Sequence, residues 1–249
     1  MRLLDNLYCY IWQGKGSNCN SYLFADVLRG DRPHVMVDPG QMVDELKEPC
    51  LDILLKGLAE DGINPEDIGL IISTHGHYDH FGASHALVTR SRMKDGKPKQ
   101  TLLTIHEAER EYLKLATEYM AKIPGMPPQQ SWFEPNFYLR EGELNLGKGD
   151  NRVNLQVILT PGHTPGSISL YWPDKKMLIT GDLLFYGGVG RTDFGGDGKQ
   201  LKQSIEMLSQ LDVEYVLPGH STEFGGIIKG RDAVRQNFAA VRLNYFPML

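Results

Sequence analysis

The chain has 249 residues, of which 41% are hydrophobic and 23% charged, and a formal net charge of −5. This is the mix of a globular protein able to bury a core, and the acidic balance excludes the basic footprint of a nucleic-acid binder. No run approaches the apolar length needed to span a bilayer. The cysteines Cys9, Cys19 and Cys50 are an odd set without metal-like spacing, which argues against a disulfide framework and for a reducing, cytoplasmic setting.

In chain order, LYCYIW (7–12), NSYLFA (20–25) and HVMVD (34–38) read as strands separated by Gly and polar residues, the third ending in an Asp-Pro-Gly turn. Leu51, Leu54, Leu55 and Leu58 recur at helical spacing, with Pro49 at the start and Gly62 at the end, and predict a helix. GLIIS (69–73) reads as a buried strand, THGHYDH (74–80) as the loop after it, FGASHALVTR (81–90) as a second helix, and TLLTI (101–105) as a strand. The basic run 90–99 reads as a solvated loop.

Residues 106–150 break this rhythm. They begin with an amphipathic helix, HEAEREYLKLATEYMAK, and continue into a segment rich in Pro, Met and aromatics, so the span reads as an insertion in a single domain covering 1–249. Three strands follow, RVNLQVILT, SISLYW and KMLIT, with WPDKKM as the turn between the last two. A helix (199–211), a strand (EYVL) and a closing helix (231–243) complete the chain. Two sets of strands, each followed by helices, predict an α/β architecture of two sheets packed face to face with helices outside.

Chemistry concentrates at strand ends. Of 8 histidines, three crowd into THGHYDH together with Asp79. In an extended loop His75 and His77 point to the same side and can chelate one ion. Asp79 and His80 follow and can reach a second. LTPGHTPGS places His163, LITGDLL places Asp182 and YVLPGH places His220, each just past a β-run. Imidazole and carboxylate suit zinc, iron or manganese, and one carboxylate, Asp182, can bridge two ions. Asp38, also past a strand, is placed to hold a ligand histidine from behind. His34, His85 and His106 read as ordinary histidines outside this cluster.

His-x-His-x-Asp-His, PGHTPGS, GD and PGH, in this order, resemble the metallo-β-lactamase-fold hydrolases over about residues 20–220. The resemblance implies a four-layer αββα sandwich with two mixed sheets and a dinuclear site. His75, His77 and His163 would hold one ion, Asp79, His80 and His220 the other, and Asp182 would bridge. GGVGRTDFGGD (187–197) resembles the segment of the glyoxalase II-like (hydroxyacylglutathione hydrolase-like) thioesterases and of their relatives, the persulfide dioxygenases.

The expected activity is therefore hydrolysis of a thioester or related ester by a metal-bridging hydroxide. Asp79 and Asp182 act in catalysis, and the cofactors are two divalent ions, zinc first, with iron or manganese as the others. A mononuclear iron persulfide dioxygenase and a lactonase are the alternatives. Glyoxalase II enzymes hold glutathione with basic residues of a helical C-terminal domain; here Lys229, Arg231 and Arg235 are the cations that could replace part of it. Tyr186, Trp132 and Phe133 are the candidate substrate-binding residues, the latter two on the insertion as a lid or an interface. Arg191 and Asp193 read as a structural pair. The expected partner is a small molecule, with neither nucleic acid nor membrane, and a homo-oligomer is left open.

Overall fold

The computed structural model describes residues 1–4, 6–89, 93–94, 97–98, 101–120, 135–147 and 151–249, without the side chains of 89, 93–94, 97–98 and 116–120. Trp132, Phe133 and most of the basic run 90–99 lie outside the described residues.

The first strands are β1 (Arg2–Leu4), β2 (Leu7–Tyr10), β3 (Ser21–Phe24), β4 (His34–Val37) and β5 (Ile68–Ile72). After a small hairpin of β6 (Met93–Lys94) and β7 (Lys97–Pro98) come β8 (Leu102–His106) and β9 (Phe137–Leu139). They form a seven-stranded sheet in the order β1-β2-β3-β4-β5-β8-β9, antiparallel up to β4 and parallel from β4 onward. The second sheet begins with β10 (Gly142–Leu146), β11 (Val153–Leu159), β12 (Ile168–Trp172) and β13 (Met177–Gly181). A short hairpin of β14 (Leu184–Phe185) and β15 (Gly188–Val189) precedes its last strands, β16 (Tyr215–Pro218) and β17 (Ile228–Lys229). The order is β10-β11-β12-β13-β16-β17, with only β13 and β16 parallel neighbours.

The facing sides of the sheets enclose one apolar core, in which Phe24 meets Trp172 edge to face at 5.7 Å. Helices cover the outer sides. Helix α1 (Cys50–Glu60) buries Leu51, Leu54 and Leu58 against the first sheet, as their spacing predicts, with Pro49 as its N-cap. Helices α5 (Gly198–Leu208) and α6 (Arg231–Asn244) bury Leu201, Ile205, Val234 and Phe238 against the second. These are the four expected layers. Among the described residues no helix is long and apolar enough to cross a membrane.

Two local differences from the sequence reading bear on the site. The stretch expected as loop then one helix is instead two short helices, α2 (Tyr78–Phe81) and α3 (Ser84–Thr89). Gly82 divides them, its amide closing α2 on the Tyr78 carbonyl at 2.7 Å. His77 remains extended while Asp79 and His80 sit on a helical turn, so the two pairs of ligands aim differently. Within 106–150, helix α4 (Arg110–Met120) follows a 3-10 turn at Glu107–Glu109, and β9 and β10 add an edge strand to each sheet.

Strand direction brings the site together. β4 and β5 run parallel, and β11, β13 and β16 share one direction within their sheet. Their C-terminal ends therefore meet at one edge of the sandwich. Backbone bonds fasten the sheets there: Ile168 donates to the Thr74 carbonyl at 2.9 Å, and Asn20 donates to the Gly219 carbonyl at 2.6 Å.

Candidate metal centre

At that edge the seven predicted ligand side chains converge into overlapping groups: His75, His77 and His163; His75, His80 and Asp182; Asp79, His80 and His220. His75 Nε2 lies 3.1 Å from His77 Nδ1, which lies 2.8 Å from His163 Nε2. On the other side, His220 Nε2 is 3.2 Å from both His80 Nε2 and Asp79 Oδ2. Asp182 stands between, with Oδ1 3.1 Å from His80 Nε2 and Oδ2 3.5 Å and 3.3 Å from the Nε2 atoms of His163 and His220. Gly219 makes room for it, since a Cβ there would run into the Asp182 carboxylate.

The proton inventory shows that this set fits cations. His163 Nδ1 faces the Arg191 carbonyl at 2.6 Å, and a carbonyl only accepts, so Nδ1 carries the hydrogen. The Tyr112 hydroxyl donates to the Phe194 carbonyl, so His77 Nε2, 2.7 Å away, must donate to the phenol oxygen. The Thr74 hydroxyl donates to Asp38 Oδ2, so His75 Nδ1, at 3.1 Å, donates to Thr74. Each of the three neutral imidazoles has therefore spent its proton outward, and three bare nitrogens face one another at hydrogen-bond distance. Such lone pairs repel; a shared cation makes the arrangement favourable.

The electrostatics agree. Burial holds His75 and His163 below the ordinary imidazole value and takes His77 down to about 4, which keeps them neutral. The other half is anionic. Burial opposes charge on His80, yet Asp182 and Asp38 raise it well above its ordinary value; against burial, Asp182 and Asp79 raise His220 to about 10. Burial would raise the two carboxyls, but His220 and His80 hold both well below the usual carboxylate range.

Asp38 sits where the sequence places it, behind His80: Oδ2 accepts from His80 Nδ1 at 2.9 Å and Oδ1 from the Thr74 amide at 2.8 Å. Its φ of 52° is the left-handed region, which Asp tolerates better than most residues. His85 is exposed, His34 accepts from the Asp26 amide and His106 from the Ala108 amide, all outside the centre. Arg191 and Asp193 form a two-point exposed pair as expected. Tyr186 packs on Phe224, ring centres 5.9 Å apart, while its neighbour Phe185 lies 5.9 Å from His220.

Two of the substitute cations are engaged away from the centre. Arg231 is bound to Asp212 and Glu214, and Lys229 pairs in register with Tyr215, at the end of β16 opposite His220. Groups that sequence reasoning missed are Thr74, Glu109, Tyr112, Ser17, whose hydroxyl donates to Asp79 Oδ2 at 3.3 Å, and the Arg191 carbonyl. Phe194, 51% exposed, lies 6.3 Å from the His77 ring.

An αββα sandwich with this ligand set at the edge between its sheets defines a metallo-hydrolase scaffold. The family model described as the metallo-beta-lactamase superfamily matches residues 14–220, and the chain belongs to that superfamily. It is 35% identical over 172 residues to the probable metallo-hydrolase YqgX of Bacillus subtilis, covering 67% of this chain and 73% of that protein. It is 29% identical to the hydroxyacylglutathione hydrolase GloC of Haemophilus influenzae, over 75% of this chain and 79% of the other. Among solved structures, TTHA1623 in a di-iron-bound form superposes with a TM-score of 0.63 at 27% identity, covering 96% of this chain and 99% of that one.

Proposed function

We propose that the protein is a dinuclear, metal-dependent hydrolase of small thioesters or related esters, lactones included, with an apolar acyl portion. The observation that supports this most is the position of one carboxylate, Asp182, which lies 3.5 Å from His163 on one side and 3.1 Å and 3.3 Å from His80 and His220 on the other. When bound, a pair of divalent ions in such a site supplies Lewis acidity toward a carbonyl and a nucleophile at neutral pH. Zinc is the first candidate, and the di-iron relative favours testing iron beside it.

The chain's own residues have separate tasks. Asp79 and Asp182 hold and orient, with the Ser17 hydroxyl fixing one Asp79 oxygen. Thr74, Tyr112 and the Arg191 carbonyl take the outward N–H of His75, His77 and His163, and Asp38 takes that of His80. A thiolate leaves without much help from an acid, which suits a site whose ionisable groups are committed to ligation. Exposed Phe194 beside His77, and Phe224 (59% exposed) on Tyr186, offer apolar contacts at the mouth. Lys229 and Arg231 are engaged at the other end of β16, and the arginine over the Phe194 ring, Arg191 at 4.8 Å, is paired with Asp193, which supports an apolar acyl portion.

The test is metal content per chain on protein purified without added metal, followed by acyl thioesters and lactones of graded chain length. Two ions per chain, with turnover rising with acyl length, is the expected result. One iron per chain with oxygen uptake on a persulfide, and no ester turnover, would replace this reading with the dioxygenase. Trp132→Ala is expected to change preference among these substrates at unchanged metal content; unchanged kinetics across the series would remove the aromatic segment from the pocket.

A further inference from the structure

We infer that Glu109, the last residue of the 3-10 turn that leads into α4, and Tyr112, in the first turn of α4, are positioning residues that together build the His75–His77–His163 metal position. Spacing of three puts both on one helix face. The Glu109 side chain is fully buried. Its Oε2 accepts from the Gly76 amide at 3.0 Å, and its Oε1 accepts from the Gly166 amide at 2.6 Å and from the Thr164 hydroxyl. Gly76 lies between His75 and His77, and Thr164 follows His163. One carboxylate thus fastens both loops that supply the three bare nitrogens.

Tyr112 does the remaining part. Its hydroxyl accepts from His77 Nε2 and donates to the Phe194 carbonyl, both at 2.7 Å. His77 must then offer Nδ1, whereas His75 and His163 offer Nε2. A histidine side chain can present either nitrogen, and the bond to the phenol selects which. The same hydroxyl ties the Phe194 loop, at the mouth, to a metal ligand.

A second observation supports the pairing. Each of the three loops meets this helix face at a glycine. A Cβ on Gly76 would stand 2.6 Å from Glu109 Oε2, one on Gly166 would run into the Glu109 amide, and one on Gly195 would stand 2.6 Å from the Tyr112 ring. Gly195 also has a φ of 86°. The loops approach so closely only because side chains are absent there. The 3-10 turn and the first turn of α4, at the head of the span that reads as an insertion, are therefore part of the proposed metal centre whichever substrate is turned over.

Tyr112→Phe keeps the ring and deletes the hydroxyl. Stepwise zinc titration against a chromophoric chelator should show one of the two affinities weakened roughly 10- to 100-fold, the range for loss of such a partner, and the other unchanged. Long-range 1H–15N spectra of the metal-free protein should show His77 losing its single Nε2–H form, because only the phenol selects that tautomer there. Glu109→Gln, which sets an amide donor against backbone donors, should weaken the same affinity. Unchanged affinities and an unchanged His77 tautomer in Tyr112→Phe would overturn the inference. So would equal weakening of both affinities with a lower Tm of the metal-free protein, since that is general packing.

Discussion

Asp38→Asn is the most informative single change, because one carboxylate serves three donors from two elements. Oδ2 takes the Thr74 hydroxyl at 2.7 Å and His80 Nδ1 at 2.9 Å, and Oδ1 takes the Thr74 amide at 2.8 Å. Asparagine has one acceptor oxygen. If it faces the hydroxyl and the imidazole, its NH2 meets the Thr74 N–H; if reversed, its NH2 meets the other two donors. Either way a fully buried donor loses its acceptor, which costs about 1–3 kcal/mol. For a chain of this size 1 kcal/mol corresponds to roughly 2–4 °C, so about 2 kcal/mol lowers Tm by ~4–8 °C. The proton of His80 is also released from Nδ1 and can move to Nε2, the atom that faces Asp182 and His220. Metal affinity should then fall roughly 10- to 100-fold. Calorimetric melting of metal-free protein and chelator competition on loaded protein read the two effects separately. An Asp38→Asn variant with wild-type Tm and wild-type affinity would refute the proton inventory on which the metal assignment stands.

Gly219→Ala places a methyl against the Asp182 carboxylate, and a displacement near 1 Å at a reacting centre costs on the order of 100-fold, so kcat/KM should drop by about that factor with one ion lost per chain, measured by kinetics and elemental analysis. Phe194→Ala should raise KM for long acyl substrates about 10-fold or more, from the ~1.5–3 kcal/mol of burying such a ring, and leave short acyl substrates unchanged in steady-state assays. Arg191→Ala should leave metal content unchanged, as elemental analysis would read, because His163 is held by the Arg191 backbone carbonyl and the guanidinium is spent on an exposed, solvent-screened pair with Asp193.

The fold was legible wherever a pattern ran long enough to show its period. The leucines of α1 and the apolar runs of the central strands, buried on both faces, read directly from spacing. β9 and β10 did not, because FYL and GELNL are short edge strands whose residues face partly outward. The division of α2 from α3 was hidden for a related reason. The closing contact is Gly82 against its own Tyr78 turn, and a lone glycine in a helical pattern carries no direction.

The convergent His and Asp residues of the candidate centre were legible because His and Asp following a strand have few other reasons to recur. The groups that make those side chains work as ligands carry no such mark. A tyrosine on a helix, a backbone carbonyl and a threonine after a strand are common, and each gains its role only when folding sets it behind a particular nitrogen. Yet they decide the chemistry as much as the ligands do. With Nδ1 of His163, Nε2 of His77 and Nδ1 of His75 tied outward, only one nitrogen of each ring can point inward, and the sequence motif leaves that choice open. The histidine spacing thus supplies the donors of the candidate centre, while Asp38, Thr74 and Tyr112 fix which nitrogen of a ring faces inward and Glu109 fastens the loops that carry them. Substitutions at those four positions should therefore tune affinity and rate gradually, where substitutions at the ligands abolish binding.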